Sequence, residues 1–140
     1  MSTVPSWPAH QALILAVERD PQIRTLERYF LEQAGFQVEF ADNGEQALEQ
    51  ARLLLPDILI SEILVPRLDG LSVCRRLKAD AATRHIAVLI FSILAAEDRA
   101  LEAGADAFLR KPLDDTRLVR SIEQLLAQRA SKAINTHGTH

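Results

Sequence analysis

The sequence predicts a single α/β domain in which five strands and five helices alternate around a doubly wound parallel sheet. Two continuous apolar runs, residues 58–60 and 86–91, show no alternation with polar residues. This is typical of strands that helices cover on both faces. Amphipathic segments separate the strand-like runs, and this order favours right-handed crossovers. A chain of 140 residues is long enough to bury one hydrophobic core.

Composition and charge exclude several classes of protein. Hydrophobic residues make up 48% of the chain and charged residues 25%, as in ordinary soluble domains. The net charge of −3 argues against nucleic-acid binding by bulk charge. A single cysteine, Cys74, excludes a disulfide framework, and the four histidines lack metal-ligand spacing. Since neither a signal peptide nor a membrane-spanning run is recognisable, we expect a cytoplasmic protein without membrane partners.

The first strand and helix are predicted from an apolar run and a helix-start signal. Residues 12–17 form the run, and Asp20 followed by Pro21 places a capping acid before a proline at the first helical position. Gly35 is predicted to end this helix. Four apolar residues at helical spacing are predicted to form its buried face: Ile23, Leu26, Phe30 and Ala34.

The second strand and helix follow directly. Residues 36–41 alternate between apolar and polar side chains, which predicts a strand with one wetter face near a sheet edge. The turn at residues 42–44 leads into a helix that stops before Pro56. Apolar residues at helical spacing are Ala47, Leu48, Ala51 and Leu54.

The central strand, residues 58–60, leads to a single carboxylate, Glu62. A turn signalled by Pro66 precedes an amphipathic helix over about residues 69–79. Cys74 lies on the apolar side of this helix and is predicted to be a small core residue, not a reactive thiol.

The last two strand–helix units complete the pattern. The strand at residues 86–91 ends at Ser92, and a short helix over about residues 95–103 follows. Residues 105–110 form the last predicted strand, which Lys111 and a proline follow. The final helix is marked by Leu118, Ile122 and Leu125.

These elements set the domain boundaries. The domain is predicted to span residues 11–128, between a flexible segment at residues 1–10 and a disordered tail at residues 129–140. Trp7, in the first segment, is predicted to be part of a frayed end, with docking on the domain as the alternative.

Polar or charged residues follow four of the predicted strands. They are Glu18-Arg19-Asp20, Glu62, Ser92 and Lys111. The carboxyl ends of parallel strands meet at one edge of a sheet, where open α/β sheets bind their ligands. The sequence therefore predicts a shared pocket, with solvated loop residues as the alternative.

Over residues 13–128 the chain resembles a response-regulator receiver domain. The specific matches are Pro56-Asp57, Pro66 with Asp69-Gly70, Glu102-Ala103-Gly104-Ala105-Asp106 and Lys111-Pro112. The resemblance implies a sheet of strand order 2-1-3-4-5. It also implies a cis Lys111–Pro112 bond and an aspartate that accepts a phosphoryl group from a histidine kinase with the help of Mg²⁺.

The resemblance assigns roles by position. Glu62 takes the place of the phosphoaccepting aspartate, and Glu18 and Arg19 take the two acidic, metal-binding positions. The strand-end hydroxyl, the aromatic switch residue and the strand-end lysine correspond to Ser92, Phe108 and Lys111.

Two departures from the family pattern bear on its chemistry. Guanidinium never deprotonates, whereas Mg²⁺ requires oxygen ligands, so Arg19 makes metal binding absent or weak and no cofactor is expected. The four matched positions have a net charge of zero, since two are acids (Glu18 and Glu62) and two are cations (Arg19 and Lys111). We expect Arg19 to form an ion pair with Glu62. The Glu62 carboxylate also lies one methylene further out than that of an aspartate, which disfavours in-line attack.

The predicted function is a stand-alone receiver-like signalling module that is not phosphorylated at the usual site, is not an enzyme and acts by protein–protein interaction. A conventional phosphoaccepting regulator is the alternative. A flavodoxin-like redox protein is disfavoured because the loop after the first strand lacks glycine and serine. The expected partners are a histidine kinase or a downstream effector, bound through the last strand and its flanking helices, and a homodimer is a further option.

Overall fold

A parallel five-stranded sheet forms the centre of the molecule. The computed structural model describes the backbone of residues 12–138 and the side chains of residues 12–129. The strands are β1 (Leu13–Val17), β2 (Gln37–Ala41), β3 (Ile58–Ser61), β4 (Ala87–Ser92) and β5 (Ala107–Arg110). Their order, β2-β1-β3-β4-β5, confirms the predicted fold class and strand order. The predictions for residues 1–10 lie outside the described residues.

Within residues 12–138, five helices connect or follow the strands. They are α1 (Pro21–Gln33), α2 (Gly44–Leu54), α3 (Gly70–Ala79), α4 (Glu97–Glu102) and α5 (Asp115–Gly138). Three begin with a side chain that accepts a hydrogen bond from a backbone N–H of the first turn: Asp20 for α1, Asn43 for α2 and Asp69 for α3. These caps satisfy donors that a helix start leaves unpaired, and they confirm the predicted start at Asp20.

The sheet separates two hydrophobic cores. Residues of α2, α3 and α4 pack with Leu15 and Val17 on one face, and residues of α1 and α5 pack with Ile14 and Ala16 on the other. Cys74 is fully buried in the first core, and burial raises the pKa of its thiol to about 11. The prediction that Cys74 is a core residue is therefore confirmed.

The predicted buried face of α1 was right at Ile23, which packs partly buried against the core, but wrong at Leu26 and Ala34. Leu26 is 43% exposed and Ala34 is exposed, whereas Glu27 and Leu31 are buried. A repeat of about 3.6 residues places residues 23, 27 and 31 on one stripe of the helix. Because the middle residue of this stripe is a carboxylic acid, the spacing of apolar residues alone predicts a buried face that is displaced by one position.

Helix α5 also differs from the prediction. The tail from residue 129 was expected to be disordered, but the backbone is helical through Gly138. Arg129 Nη1 donates to the backbone oxygen of Asp57 at 2.9 Å and contacts its Oδ1 at 3.1 Å. This contact joins the helix to the residue before β3. Residues 129–138 contain no proline and include arginine, lysine and two alanines, which favour a helix.

Within the described residues, no helix combines the length and the apolar character that crossing a membrane requires.

Candidate functional site

Four strand ends place their side chains in one pocket at the carboxyl edge of the sheet. Glu18 follows β1, Glu62 follows β3, Ser92 ends β4 and Lys111 follows β5. Lys111 Nζ lies 2.8 Å from Glu18 Oε1 and 3.0 Å from Glu62 Oε1. The side chains of these three ionic residues are at most 7% exposed. The structure thus brings together four residues that the strand-end pattern assigns to a pocket.

The Glu62 carboxylate is surrounded by hydrogen-bond donors. They are the Ser92 hydroxyl, the Lys111 ammonium and the backbone N–H groups of Ile63, Leu64 and Ile93. The three backbone nitrogens lie 2.6–3.2 Å from the carboxylate oxygens. Burial alone would raise the pKa of Glu62, but the hydrogen bonds from Ser92, Lys111 and Leu64 outweigh it and hold the pKa below its usual value. The carboxylate is therefore ionised at neutral pH.

Lys111 neutralises two carboxylates at once. Burial would lower the pKa of its ammonium, but hydrogen bonds to Glu18 and Glu62 and the charges of both raise it above its usual value. The ammonium also lies 5.5 Å from the centre of the Phe91 ring, within range of a cation–π contact. The bond from Lys111 to Pro112 is cis, as predicted.

Arg19 does not make the predicted contact with Glu62. Arg19 is exposed and lines the pocket together with Asp20, Leu64 and Ile93. No hydrogen bond or ion pair joins Arg19 to Glu62 in the described part of the chain, because Lys111 and Ser92 occupy the carboxylate instead. At this exposed position the Arg19 guanidinium keeps its hydration. Burying it beside the Lys111 ammonium would cost desolvation energy.

The pocket does not fit Mg²⁺. Glu18 Oε2 accepts from the backbone nitrogen of Asp20 at 3.1 Å while Oε1 contacts Lys111. The Asp20 carboxylate caps α1 through Gln22 N at 2.9 Å. The described residues contain no group of three or more acidic, histidine or cysteine side chains arranged to hold a metal. With Lys111 between the two carboxylates, the pocket lacks the open oxygen ligands that the ion requires.

Phe108 lies apart from the pocket, partly buried in β5 against the core under α4. It lines a separate open cleft of about 690 Å³ between α4, β5 and α5. The other lining residues are Ala95, Ala96, Glu97, Asp98, Arg99, Arg110 and Arg117.

Gly70 fixes the backbone that carries Glu62. A Cβ atom on Gly70 would lie 2.3 Å from the carbonyl oxygen of Glu62, a distance that real structures do not show. The nitrogen of Gly70 donates to Ile63 O at 2.9 Å. Ser61 Oγ also donates to the Glu62 carbonyl at 2.8 Å and is fully buried. The Asp69-Gly70 motif therefore positions Glu62 by close packing.

Glu27 is a buried acid that the sequence analysis missed. It is 1% exposed, and no described residue donates a hydrogen bond to its Oε1. Burial, together with the charge of Glu18, raises the pKa of Glu27 to about 8, against the opposing charges of Lys111 and Arg24. The available signal was its spacing of four residues from both Ile23 and Leu31, which a count of apolar residues alone leaves out.

Glu27→Gln is expected to remove a pH dependence of stability. With a folded pKa of about 8 against about 4.3 in an unfolded chain, the native state keeps a proton that the unfolded state releases. Native stability should therefore fall as pH rises between these values, by up to about 1.4 kcal/mol per pH unit. Urea unfolding over this range should show the slope in the native protein and in Glu49→Gln, an exposed control, but not in Glu27→Gln. If the free energy of unfolding of the native protein did not change over this pH range, Glu27 would not be a neutral acid in the folded state.

Comparison with known proteins gives consistent results. Residues 14–123 match the response regulator receiver domain family. The response regulator PleD of Caulobacter vibrioides is 42% identical over 93 residues, which are 64% of this chain and 20% of PleD. The response regulator MprA of Mycobacterium leprae is 40% identical over 114 residues, 81% of this chain and 50% of MprA. The chain thus spans half or less of these relatives.

A solved structure agrees with the sequence matches. The signal receiver domain of a signal transduction histidine kinase from Syntrophus aciditrophicus aligns with a TM-score of 0.78 and 37% identity. The alignment covers 84% of this chain and 91% of that domain. Fold, strand order and sequence similarity lead to one assignment. The chain belongs to the response regulator receiver domain family.

Proposed function

We propose that this receiver domain acts through protein–protein contacts without accepting a phosphoryl group at Glu62. The observation that carries the proposal is the Glu62 carboxylate itself, whose two oxygens already have five donors around them. Two of these donors, on Ser92 and Lys111, match the hydroxyl and the lysine that complete the phosphorylation site of the family. Before it could bind the donors on Ser92 and Lys111, an incoming phosphoryl group would have to displace the Glu62 carboxylate from them.

Two properties of the pocket oppose phosphoryl transfer. The Glu62 side chain is one methylene longer than aspartate, and a misplacement of about 1 Å can lower a rate roughly 10²-fold. The charges of Glu18, Glu62, Arg19 and Lys111 sum to zero, and Asp20, the other acid that lines the pocket, caps α1. The pocket therefore attracts only weakly the divalent cation that would stabilise a transferring phosphoryl group. Both properties act in the same direction.

Glu62 is proposed to imitate a phosphorylated aspartate in part. It contacts Ser92 and Lys111 simultaneously and holds the amides of two loops. A phosphate would carry about −1.5 to −2 charges and three acceptor oxygens, against one charge and two oxygens here. The imitation is therefore weaker than phosphorylation but permanent.

The experiment is to incubate the native protein with Mg²⁺ and acetyl phosphate. Intact-mass spectrometry should find no added phosphoryl group, and calorimetric titration should find no saturable Mg²⁺ binding at millimolar concentration. A phosphoryl mass that depends on Mg²⁺ would overturn the proposal and favour a conventional phosphoaccepting regulator.

The cleft between α4, β5 and α5 is the proposed contact surface for a histidine kinase or a downstream effector. It combines Phe108 with the exposed cations Arg110 and Arg117. Aromatic and arginine side chains dominate the binding energy of many interfaces. The proposal extends to Arg120, which is exposed on α5 one turn after Arg117.

Arg117→Ala and Arg120→Ala are each expected to weaken partner binding about tenfold, which corresponds to about 1.4 kcal/mol. Arg52→Ala on α2 is the control, because its side chain is exposed on a different helix. Calorimetry with a partner captured by the native chain would compare the three variants. Loss of binding in Arg52→Ala alone would reject this surface.

A further inference from the structure

The end of α2 exposes three consecutive leucines. Leu53 is 78% exposed, Leu54 42% and Leu55 50%. Leu55 caps the helix in the left-handed conformation, with a φ of 47°, where glycine is the usual residue. Three exposed leucines in succession place more apolar surface at one helix end than singly scattered surface leucines do.

These leucines lie at the amino edge of the sheet, beside the start of β1. Leu13 N donates to Asp57 Oδ2 at 2.8 Å, and Asp57 is two residues after Leu55. In β1, Leu13 is the one residue that is not fully buried. Side chains alternate along a strand, so Leu13 shares the face of Leu15 and Val17, which is the face that α2 covers. We name Leu13, Leu53, Leu54 and Leu55 the leucine patch.

A buried acceptor lies one turn before the patch. Gln50 Oε1 is inaccessible to solvent and receives no hydrogen bond from the described residues. Gln50 precedes Leu53 and Leu54 by three and four residues, which places the three side chains on adjoining positions of the helix surface. An additional chain segment over this part of α2 would cover the exposed leucines that follow Gln50.

We propose that residues 1–11 of the same chain bind the leucine patch, with Trp7 as the anchor. This segment joins β1 at the patch, and 11 extended residues span at most about 36–40 Å, so it reaches every patch residue. It contains Val4, Pro5, Trp7 and Pro8 and no Asp, Glu, Lys or Arg, so its burial desolvates no charged side chain. Because the segment is tethered beside its site, its effective concentration is high.

Trp7 is the single tryptophan of the chain, so its fluorescence reports on the segment directly. In the native protein we expect blue-shifted emission and acrylamide quenching several-fold weaker than that of free tryptophan. The double variant Leu53→Gln/Leu54→Gln should shift the emission to that of a hydrated indole and restore quenching. Glutamine keeps the size and helix propensity of leucine, so circular dichroism and thermal unfolding should show an intact domain.

The matched control is Leu26→Gln/Leu101→Gln, which replaces leucines that are 43% and 49% exposed on α1 and α4. It should leave the Trp7 emission unchanged. Hydrated emission in the native protein would overturn the proposal, as would emission that both double variants leave unchanged. A blue shift that disappears on dilution, with a dimer in sedimentation velocity, would assign the patch to a second copy and also overturn it.

Discussion

The double change Arg19→Asp/Glu62→Asp is expected to bind Mg²⁺ and to accept a phosphoryl group from acetyl phosphate, at a rate at least about 10²-fold above the native protein. Shortening residue 62 by one methylene withdraws the carboxylate from Ser92 and Ile93, whose donors become free for phosphoryl oxygens. Replacing Arg19 adds a carboxylate to the pocket. Over positions 18, 19, 62 and 111, three carboxylates and one lysine then give a net charge of −2, which a divalent cation neutralises.

Each single change should fail for a different reason. Glu62→Asp alone frees the donors but leaves the pocket without a metal, and Arg19→Asp alone binds Mg²⁺ weakly while Glu62 still occupies the donors. Arg52→Asp/Glu62→Asp is the matched control, since it makes the same charge change at an exposed arginine outside the pocket. Mass spectrometry and Mg²⁺ titration on the set test the argument. Equal phosphorylation of the control and the pocket double variant would show that the position of the new carboxylate is irrelevant.

Lys111→Met is expected to destabilise the protein by about 3–5 kcal/mol at neutral pH, because it leaves two buried carboxylates without their shared cation. Lys111 helps to hold the pKa of Glu62 below its usual value. The stabilisation from this pairing is therefore fully present above the usual pKa of Glu62, and it is lost as the pH falls through the lowered pKa of the folded protein. The difference between variant and native protein should therefore shrink below about pH 4. Urea unfolding at neutral and acidic pH measures both quantities.

Arg52→Met is the control for Lys111→Met. The Arg52–Asp80 pair has an N–O distance of 3.7 Å and side chains that are 54% and 38% exposed. Pairs of this kind contribute about 0–1 kcal/mol, so the control should unfold nearly as the native protein does. If the two variants were equally stable, the buried pairing of Lys111 would have no energetic importance.

The sequence predicts most of the fold because its signals are local. The unbroken apolar runs at residues 58–60 and 86–91 require cover on both faces, and Asp20 with Pro21 defines a helix start without reference to the rest of the chain. The strand-end pattern also predicts which side chains meet at the sheet edge. That prediction rests on topology, which places the ends of parallel strands together.

The contacts inside the site were less predictable, because they depend on competition between side chains. Arg19 and Lys111 both offered a cation to Glu62, and only the three-dimensional distances show that Lys111 takes that place. Glu27 was missed for a related reason. A carboxylic acid on a buried helix stripe contradicts the apolar pattern, and its burial becomes visible only once the helix is packed on the sheet.

The Glu62 carboxylate gives the proposed signal a different time course from that of a phosphorylated site. A phosphoryl group leaves by hydrolysis, so its effect decays and must be renewed by a donor. A carboxylate held by Ser92, Lys111 and backbone amides is part of the polypeptide and persists as long as the chain stays folded. The strength of such a signal can then follow only the number of folded molecules, which synthesis and proteolysis determine.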